Sequence, residues 1–212
     1  KNGTLLIVTC SGDVWVLSQN PMARGNGNSS TTAAGNSTYW GKVKTNSSTF
    51  VTGIVAARVK GNIVFALKND GTLWHWGING NSFNNGTSST QQLTYATPLA
   101  SPDPNKTIKM IGLTFTFDYY PNFYVLMTDG YLYSYGGNHN RALGDWTTLV
   151  TSVTPTLAWV RPKYPDGTGT AAGLDMNDIK WISPQEHSYT LASINVINSQ
   201  GELYAWGGQS QH

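Results

Sequence analysis

The 212-residue sequence predicts an all-β protein, specifically a β-propeller built from four-stranded blades. Two observations support this prediction. A hairpin motif recurs four times, near residues 5–20, 64–79, 123–138 and 194–209. The charged fraction is only 11%, whereas globular domains average roughly 25%, and turn-forming and aromatic residues take its place. Repeated groups of three or four short strands are typical of propeller blades.

Each hairpin has a turn glycine between an apolar strand and an alternating strand. These glycines are Gly12, Gly71, Gly130 and Gly201, with two equal intervals followed by a longer one. Large apolar side chains stand three and five positions after each glycine, namely Trp15 and Leu17, Trp74 and Trp76, Tyr133 and Tyr135, and Tyr204 and Trp206. Alternate residues of a strand share a face, so we predict that these pairs are buried between adjacent blades.

The residue between the two aromatic positions varies, which argues against a shared chemical role. His75 corresponds to Val16, Ser134 and Ala205 in the other copies. We therefore interpret His75 as incidental. A further short strand is predicted at residues 108–111 and 179–182, because both segments end at the same distance before the next turn glycine.

The repeat resembles that of the regulator of chromosome condensation (alpha-tubulin suppressor-like) family. The resemblance rests on the Asp-Gly turn and the Leu-aromatic-x-aromatic-Gly-x-Asn pattern of residues 70–79. It also rests on residues 138–144, which resemble the family's Asn-x-x-Gly-Gln-Leu-Gly tail with Arg141 and Ala142 in place of Gly-Gln. It implies a propeller, usually of seven blades. Residues 1–212 are accordingly expected to be a single propeller domain or a fragment of one, with four repeat units visible.

Several function classes find no support in the sequence. The net charge is +2 without a dense Lys/Arg cluster, so we expect no nucleic-acid partner. No apolar run approaches the roughly 20 residues of a membrane-spanning helix, so we expect no membrane insertion. The single cysteine, Cys10, is predicted to be a buried thiol. Because no catalytic motif or metal-ligand spacing is present, we expect a non-enzymatic protein without cofactor or metal.

Long polar connections leave equivalent points of the repeat at residues 20–49, 79–106 and 138–178. Long loops on a rigid scaffold favour a role in recognition. Exposed aromatic side chains beside amides can stack on sugar rings, which makes residues 119–124 the leading ligand-binding segment. The candidate ligand-binding residues are Tyr119, Tyr120, Asn122, Trp40 and Trp146. Core packing at the start of a strand remains the alternative for residues 119–124.

We expect a recognition or assembly module. The preferred hypothesis is a surface-exposed virion protein, such as a bacteriophage tail or fibre protein. The runner-up is a secreted or cell-surface bacterial adhesin or inhibitor that binds a protein or glycan through its long loops. A guanine-nucleotide exchange factor, the activity of the family's name-giving member, is third. The expected partners are a host-surface protein or glycan, or other subunits of the same assembly, and the expected localisation is extracellular or on the virion surface.

Overall fold

The computed structural model describes residues 4–28, 40–78, 92–116, 120–138, 141–147, 156–169, 171–185 and 193–208. Their regular structure consists of β-strands in antiparallel sheets and one short 3-10 helix. The predicted all-β class is therefore confirmed. No helix of these residues is long and apolar enough to cross a membrane. The described residues divide into two compact units, one up to Ser101 and one from Pro102 onward.

The first unit holds two sheets. The first sheet contains β1 (Thr4–Val8), β2 (Val14–Ser18) and β3 (Gly41–Lys42), in that order, with the 3-10 helix (Pro21–Arg24) between β2 and β3. The second sheet contains β4 (Ile54–Lys60), β5 (Ile63–Lys68), β6 (Leu73–Ile78) and β7 (Gln92–Leu99). Each strand thus pairs with the next one along the chain, as in the blades of a propeller.

The second unit follows the same plan with one addition. A four-stranded sheet contains β8 (Ile108–Thr116), β9 (Tyr120–Met127), β10 (Leu132–Gly136) and β11 (Thr156–Val160). A three-stranded sheet contains β14 (Ile179–Pro184), β15 (Ser193–Asn198) and β16 (Leu203–Gly207). Between them lies a separate two-stranded hairpin of β12 (Lys163–Pro165) and β13 (Ala172–Asp175). Two of the four repeated sheets therefore have four strands, and two have three within the described residues.

The turn glycines explain why the four hairpins form where the sequence predicts them. Gly12, Gly71, Gly130 and Gly201 have φ angles of 78°, 84°, 92° and 84°, a region that glycine adopts at little steric cost. The strands on either side pair in register, as with Leu67 and Leu73 in the second hairpin. Cys10 follows β1 in such a turn and is exposed. Its predicted burial is wrong, because the apolar strand before it ends at Val8.

The core of the first unit lies between its two sheets. Val14 and Val16 of β2 are fully buried and belong to one hydrophobic cluster with Val64 and Ala66 of β5. Trp76 of β6 is fully buried in the same cluster. The partly buried Trp74 also packs against it. The two residues that stand three and five positions after Gly71 thus lie between neighbouring sheets.

The core of the second unit has the same arrangement. Leu132 of β10 and Leu126 of β9 form a buried cluster with Ile194 and Val196 of β15. Tyr204 and Trp206 of β16 pack against this cluster. In both units, the sheet that follows in sequence presents its aromatic face to the preceding sheet. The remaining predicted packing residues, Trp15, Leu17 and Tyr133, are half-buried, and Tyr135 is 8% exposed.

One face of the last sheet carries three exposed apolar side chains. Trp181, Ile197 and Leu203 stand opposite one another on β14, β15 and β16. Their exposed fractions are 55%, 39% and 68%. We call these three side chains the apolar row.

Candidate functional site

A pocket of about 410 Å³ opens in the second unit. It is bounded by residues 141–144, which together with Asn138 we call the tail, by the β12–β13 hairpin and by the end of β16. Ligand pockets in proteins fall in the range of about 300–1,000 Å³. The pocket therefore has a size suited to a ligand.

Trp206 supports the tail side of the pocket. Its indole N–H donates a hydrogen bond of 3.1 Å to the carbonyl oxygen of Ala142. Gly144 lies against the same ring with a φ of 70°, and a Cβ there would stand 2.5 Å from the indole nitrogen. Both the backbone conformation and the close approach therefore require glycine at this position.

The first unit contains the same contact. The indole of Trp76 donates to the carbonyl oxygen of Ala23 at 3.0 Å. Gly25 lies beside this ring with a φ of 59°. The contact between an indole and the segment that follows the preceding hairpin therefore occurs in both units. It is not specific to the pocket.

Side chains from two strands fix the tail of the second unit. The Tyr124 hydroxyl donates to the carbonyl oxygen of Ala142 at 2.7 Å, and the Ser134 hydroxyl donates to that of Leu143 at 2.7 Å. Asn138 accepts a bond from the Leu143 backbone N–H through its side-chain oxygen. Tyr124 is fully buried, and burial raises the pKa of its hydroxyl, so it remains a donor. The tail thus keeps its shape although Arg141 and Ala142 replace the family's Gly-Gln.

Two residues of the pocket have unusual backbone conformations. Arg141 has a φ of 57° and Trp146 a φ of 62°. Within the described residues, they are the two non-glycine positions with positive φ, and both line the pocket. Such conformations cost free energy and concentrate at functional sites. Trp146 is held in place by its indole N–H, which donates to the carbonyl oxygen of Lys163 at 3.2 Å.

The charged residues that line the pocket are both cations, Arg141 and Lys163. The Lys163 ammonium lies 2.7 Å from a carboxylate oxygen of Asp175. Arg141 is exposed, and its guanidinium has no ion-pair or hydrogen-bond partner among the described residues. The pocket thus offers one uncompensated positive charge.

Tyr204 supplies a third aromatic wall. Its hydroxyl donates to Glu202 at 2.9 Å, and this hydrogen bond raises the pKa of Tyr204. Its ring meets that of Tyr164 edge to face, with centroids 4.9 Å apart. Both contacts fix the orientation of the Tyr204 ring at the edge of the pocket.

The predicted ligand-binding residues have different surroundings. Trp146 lines the pocket, and Trp40 is 37% exposed in the first unit. Asn122 is fully buried, and its amide donates to the carbonyl oxygen of Gly137, so it supports the sheet in this structure. Tyr120 begins β9 and pairs with Thr116, while Tyr119 lies outside the described residues.

Sequence reasoning missed Arg141, Lys163 and Tyr204 as members of one site. The available signal was the interval between Gly130 and Gly201, which is longer than the two intervals before it. The extra residues accommodate the β12–β13 hairpin. Among the residues that the structure describes, no group of three His, Cys, Asp or Glu side chains could hold a metal ion.

Three solved structures match this fold over 96% of the chain. Human WBSCR16 superposes with a TM-score of 0.64 at 18% identity. Prp20p from Saccharomyces cerevisiae gives 0.61 at 19% identity, in a structure whose report covers its binding to Gsp1p and histones. Yeast RCC1 (Prp20) bound to Kap60 gives 0.58 at 20% identity. No protein-family model and no curated protein sequence matches the chain.

These matches establish the fold as a β-propeller of the regulator of chromosome condensation type, as the repeat predicted. The chain spans 45%, 43% and 41% of the three matched chains. It therefore corresponds to somewhat less than half the length of those proteins.

The same matches correct two expectations. The partners named for the yeast protein are Gsp1p, histones and Kap60, not a host-surface protein or glycan or the subunits of a virion. The expected extracellular or virion-surface localisation is contradicted as well, because the matched structures are of human and yeast proteins, and the yeast protein is reported with histones and Kap60 as partners. The expectations failed because abundant Asn, Ser, Thr and Gly reflect the many turns and loops of a propeller rather than its environment.

Proposed function

We propose that this chain is a protein-binding propeller module that promotes guanine-nucleotide exchange on a small GTPase. The observation that supports the proposal is the structural match to Prp20p, whose recorded partner is Gsp1p. The match extends over 96% of the chain. Because the chain spans less than half of Prp20p, the activity and the partner are both part of the proposal.

Nucleotide exchange requires a factor that binds two states of the GTPase with different affinities, and it requires no covalent chemistry. A factor that binds the nucleotide-free GTPase more tightly than the loaded form lowers the affinity of the GTPase for its nucleotide, because the coupling between the two ligands is reciprocal. No bond is made or broken in the nucleotide. We accordingly propose that the chain acts without a general acid, a nucleophile or a metal of its own.

The test is a nucleotide-release assay with Gsp1p as the GTPase. Gsp1p is loaded with a fluorescent GDP analogue, and release is followed in excess unlabelled GDP at increasing concentrations of the full chain. We expect the release rate to rise and to saturate. Release in excess EDTA, which strips the nucleotide's magnesium, provides the positive control.

A parallel binding measurement on immobilised Gsp1p separates the two parts of the proposal. Binding without faster release would support protein recognition and overturn the exchange activity. The absence of both binding and faster release would overturn the proposal as a whole.

A further inference from the structure

The pocket of the second unit is made by an insertion in one repeat. The interval from Gly130 to Gly201 is longer than the two preceding intervals, which are equal to each other. The β12–β13 hairpin lies in this interval, and Lys163, Pro165 and Gly169 of this segment line the pocket. The insertion therefore adds a wall that the repeat itself does not provide.

The walls of the pocket are held before any ligand arrives. The tail accepts hydrogen bonds from Tyr124, Ser134 and Trp206. The Trp146 indole is bonded to the backbone of β12. A preformed site avoids the entropic cost of ordering side chains on binding. The positive φ angles of Arg141 and Trp146 show that the surrounding structure maintains conformations that these residues disfavour alone.

The lining combines flat aromatic surfaces with the Arg141 guanidinium, which has no ion-pair partner among the described residues. Trp146, Tyr204 and Trp206 provide the aromatic surfaces, and tryptophan, tyrosine and arginine are the residues most enriched at the centres of protein interfaces. Both indole N–H groups of the pocket already have acceptors. The two indole N–H groups therefore have no bond to offer a ligand, and Arg141 supplies the polar contact.

We infer that this pocket binds a short peptide segment in which an aromatic side chain is followed by an acidic one. The aromatic ring packs against Trp146 and Trp206, and the carboxylate pairs with the Arg141 guanidinium. Lys163 contributes less, because Asp175 already neutralises it. This recognition is separate from the proposed exchange activity, so a failure of either one leaves the other intact.

The experiment uses the isotopically labelled full chain and three capped tripeptides. The probe is acetyl-Gly-Phe-Asp-amide, and its comparisons are acetyl-Gly-Phe-Asn-amide and acetyl-Gly-Ala-Asp-amide. Two-dimensional NMR follows the indole N–H signals, to which phenylalanine adds none. We expect the probe to shift the signals of Trp146 and Trp206 while that of Trp76 in the first unit stays in place.

The two comparison peptides test the two halves of the proposed ligand. Replacing the carboxylate by an amide should weaken binding about threefold, as for a solvent-accessible ion pair. Removing the ring should weaken binding by about tenfold or more, because a buried aromatic side chain contributes much of the affinity of a small ligand. Equal affinities for all three peptides, or no shift of either pocket indole at millimolar probe, would overturn the inference.

Arg141→Asn provides the matched variant, because asparagine tolerates positive φ and the arginine side chain is exposed. It should remove the preference for the aspartate peptide over the asparagine peptide and leave the thermal midpoint unchanged. Lys180→Gln, an exposed cation of the same unit outside the pocket, should keep the preference. If Arg141→Asn keeps it too, the assigned role of Arg141 is wrong.

Discussion

The His75 side chain lies in an environment that disfavours its charged form. The side chain is 4% exposed, and burial lowers its pKa to about 3. In the unfolded chain a histidine has a pKa of about 6.5. Below that pH the unfolded state therefore binds a proton that the folded state excludes, and the free energy of unfolding falls as the pH falls.

We predict that His75 contributes a loss of up to about 1.4 kcal/mol per pH unit between about pH 6 and pH 4. Urea unfolding of the wild type and of His75→Gln at several pH values gives the free energy of unfolding as a function of pH for each protein. The difference between the slopes of these two plots measures the contribution of His75. The variant should have the shallower slope, whatever its stability at neutral pH. Parallel slopes would contradict the buried neutral imidazole.

Trp76 and Trp74 differ in what their indole N–H groups bind. Trp76 is fully buried and donates to the Ala23 carbonyl, whereas Trp74 donates to the exposed Thr72 hydroxyl. Trp76→Phe leaves a buried carbonyl without this donor and creates a void, so we expect a loss of about 3 kcal/mol. Trp74→Phe should cost less than about 1.5 kcal/mol. Chemical denaturation of both variants tests the contrast, and similar losses would contradict it.

At this scale, the sequence predicted the shared face of Trp74 and Trp76 because alternation along a strand is a local property. It could not predict their different hydrogen bonds. The acceptor of Trp76 lies in a distant part of the chain, at Ala23, and such long-range contacts depend on how two sheets stack. The burial of Asn122 was missed for a different reason, because its acceptor Gly137 follows the strand that pairs with β9 in the same sheet.

In the two four-stranded sheets, the glycine that follows the second aromatic position is tightly constrained. Gly77 and Gly136 have φ angles of 111° and 121°. A Cβ at either position would overlap a backbone carbonyl oxygen, that of Asn62 or of Pro121. Register shifts next to both glycines accompany these conformations.

We predict that Gly77→Ala destabilises the first unit far more than Gly71→Ala does. Both glycines have positive φ, but a Cβ at Gly71 would meet no atom within 4 Å. Gly71→Ala should therefore cost about 1 kcal/mol for backbone strain alone, and Gly77→Ala should exceed it by at least about 2 kcal/mol. Urea unfolding measures both losses, and equal losses would show that the backbone can relax around Asn62.

The hairpins were predictable because each one is encoded by a glycine turn and two flanking strands within one short, continuous segment. The β12–β13 hairpin was not predicted, because it departs from the repeat and its strands are short and lack apolar alternation. Lys163 pairs with Asp175 across it. Two signals were available, the turn sequence Pro165-Asp166-Gly167 and the longer interval between Gly130 and Gly201.

On the scale of the molecule, the described residues expose large apolar side chains in the first unit, as at Leu5, Ile7 and Val55, and in the second unit, most compactly in the apolar row of Trp181, Ile197 and Leu203. We expect it to bind the hydrophobic dye ANS, since three neighbouring apolar side chains form a continuous patch. Leu203→Thr should reduce the fluorescence of the bound dye by about half with less than about 0.5 kcal/mol of lost stability.

Leu174→Thr is the matched control for this prediction. Leu174 is 83% exposed but lies on the separate β12–β13 hairpin. Dye fluorescence should change little in this variant. If the two variants lose the same signal, the dye is not reporting on the apolar row.

For the whole molecule, the sequence predicted the fold correctly, whereas the predicted partners and localisation were wrong. Four copies of one hairpin motif indicated the propeller, because a motif that recurs four times is stronger evidence for a fold than a single copy. The extracellular interpretation rested on composition, which every loop-rich β-protein shares. The pocket escaped prediction because Arg141 and Tyr204 are far apart in the sequence and meet only through the stacking of two sheets.

The indole bonds from Trp76 to Ala23 and from Trp206 to Ala142 also bear on how such a protein gains or loses repeats. Donor and acceptor belong to consecutive repeats, so removing one whole repeat brings a tail against the side chain of the next repeat, which is an indole at Trp76 and Trp206 and a phenol at Tyr135. Removing part of a tail or of a hairpin instead separates a donor from its acceptor and leaves a buried carbonyl behind. Recombination within a gene of this kind is therefore expected to add or remove whole repeats. Differences in repeat length are expected in the connections after the tails, where the β12–β13 hairpin lies.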